Sequence, residues 1–125
     1  MKADWIAVDL DGTLAEYHGW PADGSIGKPI PAMVDRVKAW LAEGKDVRIF
    51  TARVWPTEID LPGTSTEQTE RYASACEQRE RIRQWCGEHL GKELRMTHVK
   101  DPFMIELWDD RAIQMIPNTG ERAAP

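Results

Sequence analysis

Two carboxylates stand two positions apart in the segment Asp9-Leu10-Asp11-Gly12-Thr13. The apolar residues 5–8 before them predict a buried strand, and an extended backbone points alternate side chains, here Asp9 and Asp11, to the same side. Like charges this close repel, so one carboxyl takes up a proton unless a cation lies between them. The spacing therefore suits Mg²⁺ binding, or a division of the roles of nucleophile and acid/base between two acids.

Two simpler patterns begin with the same residues. The dipeptide Asp11-Gly12, taken alone, is typical of an ordinary turn. The EF-hand calcium loop also begins Asp-x-Asp, but it needs a third oxygen ligand at its fifth position and glycine at its sixth. Here those positions hold Thr13 and Leu14, and Gly12 falls at the fourth, so the sequence excludes an EF-hand.

The elements that must position these acids alternate between strands and helices. Hydrophobic periodicity and turn residues predict helices from Pro31 to a stop at Gly44, and from N-caps at Thr64–Thr66 to Leu90. Strands are predicted over residues 4–9, 46–50, 94–99, 104–109 and 112–116. This alternation predicts an α/β fold, a three-layer Rossmann-like sandwich with a mainly parallel central sheet of about five strands.

The chain length fits one domain, with residues 1–120 as the folded core and 121–125 as a flexible tail. Only a few residues separate the third and fourth strands, whereas a parallel crossover normally needs a dozen or more. In such a sheet, ligands bind beyond the carboxyl ends of the strands. Three polar side chains fall at such ends and are expected to meet at one edge: Asp9, Thr51 and Asp109.

Composition narrows the class of protein. Hydrophobic residues make up 42% of the 125 residues and charged residues 30%, as in ordinary globular proteins. The net charge of -5 argues against a generally basic nucleic-acid-binding surface. No apolar run is long enough to span a bilayer and the first residues are not a signal peptide, so no membrane partner is expected. Cys76 and Cys86 fall on different faces of one predicted helix, which disfavours a disulfide and favours a reducing, cytoplasmic location.

Four segments resemble the motifs of the haloacid dehalogenase-like (HAD) phosphohydrolase superfamily, and the resemblance covers nearly the whole chain. Residues 8–14 match the first motif closely, and residues 50–53 resemble the second. Lys100 is the candidate for the third motif because it follows a strand. Residues 108–112 resemble the fourth motif. The resemblance implies the core fold of this superfamily and the activity of a phosphatase.

By this resemblance, Asp9 is the nucleophile that attacks phosphorus to form an aspartyl-phosphate. Asp11 is the general acid that protonates the leaving oxygen, and then the base that activates water. Mg²⁺ is bound by Asp9, by the backbone carbonyl of Asp11 and by Asp109, while Asp110 supports the metal directly or through water. The implied reaction is the Mg²⁺-dependent hydrolysis of a phosphomonoester.

The second and third motifs supply the residues that the resemblance implies for binding the phosphorylated substrate. Thr51 donates its hydroxyl to a phosphoryl oxygen, and Ala52 and Arg53 belong to the same site. Lys100 neutralises charge on the aspartyl-phosphate.

Each of these roles has a structural alternative that stays open. Asp109-Asp110 would then form only a turn between two strands, and Thr51 would only cap a helix. Arg53 would pair with a nearby acid instead of contacting substrate. Lys100 would be an ordinary surface residue, as lysines usually are, and Lys92 is an alternative candidate for its role.

The two gaps in which this family inserts a cap domain are short here, at residues 15–31 and 54–66, so the resemblance implies a capless, open site. Open sites in this family accept large substrates or are closed by a neighbouring subunit. The loops hold four side chains that either stack on a base or sugar or contact another subunit: Tyr17, His18, Trp20 and Trp55. Two further functions stay open, a phosphatase specific for nucleotides or nucleic-acid ends, and a non-catalytic module that binds phosphate or a partner.

Overall fold

The computed structural model describes residues 3–58 and 66–124. A short 3₁₀ helix (Ala52–Val54) accompanies four strands and two helices there: β1 (Trp5–Val8), α1 (Pro31–Ala42), β2 (Asp46–Phe50), α2 (Thr66–Leu90), β3 (Met96–Thr97) and β4 (Met104–Trp108). The chain is therefore an α/β protein, as its sequence predicts. The N-caps predicted at Thr64 and Ser65 lie outside the described residues.

The four strands form one parallel sheet in the order β3-β2-β1-β4. β1 lies inside the sheet, where Val8 pairs with Ile49 of β2 and with Trp108 of β4. The carboxyl ends of β1, β2 and β4 therefore lie at one edge. The predicted convergence of three polar positions is confirmed, because one cleft at this edge is lined by Asp9, Thr51 and Asp109.

Both helices pack on one face of the sheet. The sheet contributes apolar side chains that its register places side by side: Ile6, Val8, Val47 and Ile49. The helices complete the core with Met33, Val34 and Val37 of α1 and with Ile82, Trp85, Cys86 and Leu90 of α2. α1 begins at Pro31, whose fixed φ suits a first turn, and Gly44 follows its end at φ +78°, where a side chain would be strained.

The opposite face of the sheet carries no helix among the described residues, so two layers are present there and not the three expected. Residues 98–103 cross this face as a strap that joins β3 to β4. Within the strap, Asp101 accepts a hydrogen bond from the Trp5 indole (2.8 Å) and lies 3.9 Å from Arg48, whose guanidinium stacks on the same indole. So short a crossover suffices because three strand spacings (about 14 Å) and the return along the strands (about 13 Å) combine to roughly 19 Å, within the roughly 23 Å that the chain can extend from residue 97 to residue 104.

The fifth predicted strand, residues 112–116, is not part of the sheet. Its bridge joins Met115 to Arg122, inside a hairpin formed by residues 114–123. An alternation of apolar residues predicts a strand but does not specify its partner, and here the partner is largely the segment predicted as a tail. β3 is also shorter than the predicted 94–99. β4 is therefore an edge strand, and exposed apolar side chains lie on and after it: Ile105, Leu107, Ile113, Met115 and Ile116.

Two expectations about the environment of the chain can be compared with its structure. No helix in the described part of the chain is long and apolar enough to cross a membrane. Cys76 and Cys86 are both free, as their placement on one helix predicts. Burial raises the pKa of the Cys86 thiol to about 11, which keeps this side chain in its unreactive form.

Candidate functional site

Three carboxylates from two neighbouring strands meet at the carboxyl edge of the sheet. Asp9 directly follows β1, and its backbone N–H donates to the carbonyl of Trp108 (2.9 Å), which extends the pairing of β1 with β4. Asp109 and Asp110 directly follow β4. Each of the three acids offers an oxygen, and these oxygens lie within 4.8 Å of one another. The structure thus brings together the three carboxylates that the resemblance assigns to a metal.

The loop after Asp11 fixes the position of Asp110. Gly12 has φ +88°, and a Cβ at this position would collide with the Asp110 carboxylate, so only glycine fits. The Thr13 hydroxyl oxygen accepts the backbone N–H of Asp110 (3.0 Å). On the other side, Asp109 accepts the backbone N–H of Arg111 (2.8 Å), which stabilises a bend of the backbone after β4, although no further strand of the sheet follows it among the described residues.

The three acids of this cluster oppose one another's ionisation. Burial, together with the charges of Asp109 and Asp110 and a hydrogen bond with Asp110, raises the pKa of Asp9 to about 7. A divalent cation among the three acids would remove this penalty. The donors are all carboxylate oxygens, the ligands preferred by Mg²⁺ and Ca²⁺ over thiolate-seeking metals, so the residues present fit Mg²⁺.

Asp11 is held apart from this cluster by a buried arginine. Arg53 makes a two-pronged ion pair with its carboxylate, from Nε (2.7 Å) and from Nη2 (2.8 Å). Nη2 also donates to the carbonyl of Ser25 (2.9 Å), and Nη1 donates to the carbonyl of Gly24 (2.7 Å) and to Oε1 of Gln78 (2.8 Å). These bonds use all five N–H groups of the guanidinium. Of the two alternatives for Arg53, the structure contains the pairing with an acid.

The partners of Arg53 are themselves fixed. Gln78, buried on α2, donates its amide to the same carbonyl of Gly24 (3.0 Å). Gly24 has φ +68°, and a Cβ there would press against the Gln78 amide. The Arg53 side chain is only 2% exposed and Asp11 is 19% exposed. Asp11 therefore presents a carboxylate of set orientation to the cleft, tied through Arg53 to a loop and to α2.

Thr51 closes the end of β2. It is 4% exposed, and its side-chain oxygen accepts the backbone N–H of Arg53 (3.1 Å), which caps the 3₁₀ helix. The structural alternative for Thr51 is thus present. Its hydroxyl proton is not used in that bond, and Thr51 and Ala52 both line the cleft. Capping and donation to a phosphoryl oxygen are therefore compatible.

Lys100 lies on the strap and is exposed, and it does not line the cleft. Its neighbour Asp101 is bonded to Trp5, the first residue of β1, whereas the acids follow the last residue of that strand. The rise of a strand separates these two ends by roughly 13 Å. The sequence pattern alone could not show this, because it depends on where the strap crosses the sheet.

The cleft itself has a volume of about 690 Å³. Its cationic side chains besides Arg53 are Arg71 of α2 and Arg111, with the imidazole of His98. Its aromatic side chains are Tyr17, Trp20, Phe50 and Trp55, so three of the four predicted rim residues are present and His18 is not among them.

Two functional candidates escaped the sequence analysis. Gln78 carried a usable signal, because it is a polar residue on the apolar stripe of α2, between Ala75 and Ile82. Arg71 carried none, since it falls among many charged residues of the same helix and its place at the cleft depends on the tertiary structure.

A first prediction follows from the pKa of Asp9. The folded chain keeps the proton of Asp9 from about pH 4 to about pH 7 while the unfolded chain has lost it, so the free energy of unfolding falls as pH rises through this range. Between these two pH values, we expect the free energy of unfolding of metal-free wild type to fall by on the order of 1–2 kcal/mol more than that of Asp9→Asn, after allowance for solvent screening. Urea unfolding in EDTA at both pH values measures this difference.

The control for this measurement is Asp35→Asn, which removes an exposed acid from α1. It should follow wild type at both pH values. If Asp9→Asn also follows wild type, the acid cluster does not penalise an ionised Asp9.

No protein-family model, no curated protein and no solved structure matches this chain. The chemistry of the site is therefore the basis for any assignment of function.

Proposed function

We propose that this protein is a Mg²⁺-dependent phosphomonoester hydrolase that works through an aspartyl-phosphate on Asp9. The observation that carries the proposal is the acid cluster, three carboxylates with oxygens within 4.8 Å, beside a fourth carboxylate held by a two-pronged ion pair. Asp9 is available to attack phosphorus with one oxygen and to share a cation with Asp109 and Asp110 through the other, while Asp11 is available to move protons. The resemblance to HAD phosphohydrolases assigns the same division of roles.

The proposed reaction has two halves. A carboxylate oxygen of Asp9 forms a bond to phosphorus as the ester P–O bond breaks, and Asp11 gives its proton to the departing oxygen. A water molecule then attacks the aspartyl-phosphate, its proton passes to Asp11, and the bond between phosphorus and Asp9 breaks to release inorganic phosphate. The ion pair with Arg53 leaves lone pairs on each Asp11 oxygen free for these transfers.

The charge of the phosphoryl group must be met by donors and cations that line the cleft. We propose that the Thr51 hydroxyl donates to one phosphoryl oxygen, with Ala52 beside it. Arg71 and Arg111 line the cleft, and Arg53 has no free N–H, so the role that the resemblance assigns to Lys100 falls to these two arginines. Asp9, Asp109 and Asp110 would hold Mg²⁺, with the carbonyl of Asp11. When bound there, the metal supplies charge that stabilises the anionic phosphoryl group.

The test is hydrolysis of p-nitrophenyl phosphate by EDTA-treated protein, before and after addition of Mg²⁺. We expect no turnover in EDTA and full recovery with Mg²⁺. Mg²⁺ should also raise the melting temperature of wild type, and raise it much less for Asp109→Asn. Turnover that is indifferent to chelation would remove the acid cluster from a metal role.

The alternative of a non-catalytic binding module predicts a different result in the same experiment. A module that only binds phosphate would show stabilisation by Mg²⁺ and phosphate without turnover of any ester. Asp9 and Asp11, the residues that such a module has no need to keep, are both present, which favours the enzyme.

A further inference from the structure

The tryptophans divide sharply by location. The chain has six, all within the described residues. Four are buried or packed against the core: Trp5, Trp40, Trp85 and Trp108. The other two, Trp20 and Trp55, are 56% and 40% exposed, and both line the cleft that holds Asp9. Exposed indole surface that is confined to one cleft is typical of a site for a planar, partly apolar group.

The Trp20 indole is held in place on one side and exposed enough for a ligand to stack on it. The guanidinium of Arg53 lies 4.6 Å from the centre of its ring, so one face of the indole is covered by a group that five hydrogen bonds hold still. More than half of the residue nevertheless remains accessible to a ligand. Because Arg53 touches both Trp20 and the Asp11 carboxylate, the indole lies one guanidinium away from the reacting groups.

Trp55 adds a second aromatic group of the same kind. The guanidinium of Arg71 lies 5.6 Å from its ring centre, and this arginine is exposed at the cleft. The cleft thus offers aromatic faces together with a cation not engaged in the Arg53 network. A ligand that fits has a planar ring, a negative charge, and a spacer between the ring and the phosphate that Asp9 attacks.

Building on the proposed function, we propose that the substrate is a phosphorylated nucleoside whose base stacks on Trp20. A nucleotide places a ribose between phosphate and base, and in the cleft the Arg53 guanidinium lies between the Trp20 indole and the Asp11 carboxylate. A sugar phosphate has no planar ring, and in an aryl phosphate the ring is bonded directly to the phosphate oxygen. The same chemistry belongs to a free nucleotide and to the terminal nucleotide of a chain, and the net charge of -5 favours the smaller substrate.

The experiment compares two substrates that differ only in the base, adenosine 5′-monophosphate and ribose 5-phosphate. We expect wild type with Mg²⁺ to prefer the nucleotide in kcat/KM by roughly tenfold or more, mainly through KM. Trp20→Ala should bring this ratio close to one, and Trp20→Phe should retain part of it. Phe103→Ala removes an exposed aromatic side chain outside the cleft and should keep the full ratio.

Two further measurements, on oligonucleotide substrates and on the mass of the protein, distinguish the possible outcomes. Single-stranded oligonucleotides with a 5′- or a 3′-terminal phosphate show whether the favoured source is a chain end, and a base preference in either form supports the proposal. A wild-type ratio near one, or a ratio unchanged in Trp20→Ala, overturns it. A changed mass of Trp20→Ala by light scattering with an unchanged ratio would identify a subunit contact instead. Hydrolysis of p-nitrophenyl phosphate by the same preparation shows that such a failure concerns the substrate and not the phosphatase activity.

Discussion

Asp9→Asn is expected to hydrolyse phosphomonoesters at about 10⁻⁴ of the wild-type rate or less, the scale of loss when a nucleophile is removed. An amide is a poor nucleophile and cannot form the aspartyl-phosphate. The fold should survive because asparagine has nearly the same shape, and because a neutral side chain suits a position where burial and two neighbouring acids oppose ionisation. Activity and stability should therefore change in opposite directions.

The measurement pairs initial rates on p-nitrophenyl phosphate and Mg²⁺ with the free energy of unfolding at pH 7. Asp35→Asn is the matched control, since it makes the same chemical change at an exposed acid of α1. It should keep both the rate and the stability of wild type. Substantial turnover by pure, folded Asp9→Asn would exclude the covalent mechanism.

Arg53→Lys is expected to damage proton transfer more than it damages binding. Lysine keeps the charge but cannot offer the two-pronged contact that orients Asp11. An alkyl phosphate needs a proton on its leaving oxygen, whereas p-nitrophenolate leaves readily without one. Asp11 also acts as base in the second half, which both substrates share, so the comparison uses kcat/KM, which covers only the steps up to formation of the aspartyl-phosphate. We expect kcat/KM to fall by about 10²-fold on an alkyl phosphate and by less than about tenfold on p-nitrophenyl phosphate. A merely structural role of Arg53 would lower both rates equally.

The substitution also leaves acceptors of the network without donors, at a cost of about 1–3 kcal/mol, so assays must run well below its melting temperature. The same change in an Asp11→Asn background supplies the second readout. If Arg53 acts through Asp11, the double variant should be little slower than Asp11→Asn alone. If instead the rate reductions of the two single variants multiply in the double variant, Arg53 contributes independently of Asp11.

The edge that carries the acids was predictable because it follows from topology alone. Apolar runs place β1, β2 and β4, turn residues mark where they end, and parallel strands bring their carboxyl ends together. Asp9, Thr51 and Asp109 therefore meet whatever the details of packing. The network around Arg53 was not predictable to the same degree, because its partners lie far apart in sequence and include backbone carbonyls, which leave no residue pattern.

What the sequence could not predict has one cause. Residue types define a strand but not its neighbour, so the apolar alternation at 112–116 could not reveal that this segment pairs within a terminal hairpin. The same limit applies to Lys100, which follows a strand as the resemblance requires. Its distance from the site depends on the path of the strap, and that path is set by the contact of Asp101 with Trp5.

The place of β4 beside β1 has a consequence for how the protein comes to be active. These strands are neighbours in the sheet, yet Asp9 and Asp109 are about 100 residues apart in the sequence, and closing so long a loop is slow. A nascent chain that has emerged only as far as β3 holds Asp9, Asp11 and Thr51 but neither acid that follows β4. The acid cluster is complete only when β4 has docked on β1, against the mutual repulsion of its carboxylates. If the proposed function holds, partly folded chains lack the complete site and turnover would report that folding is finished.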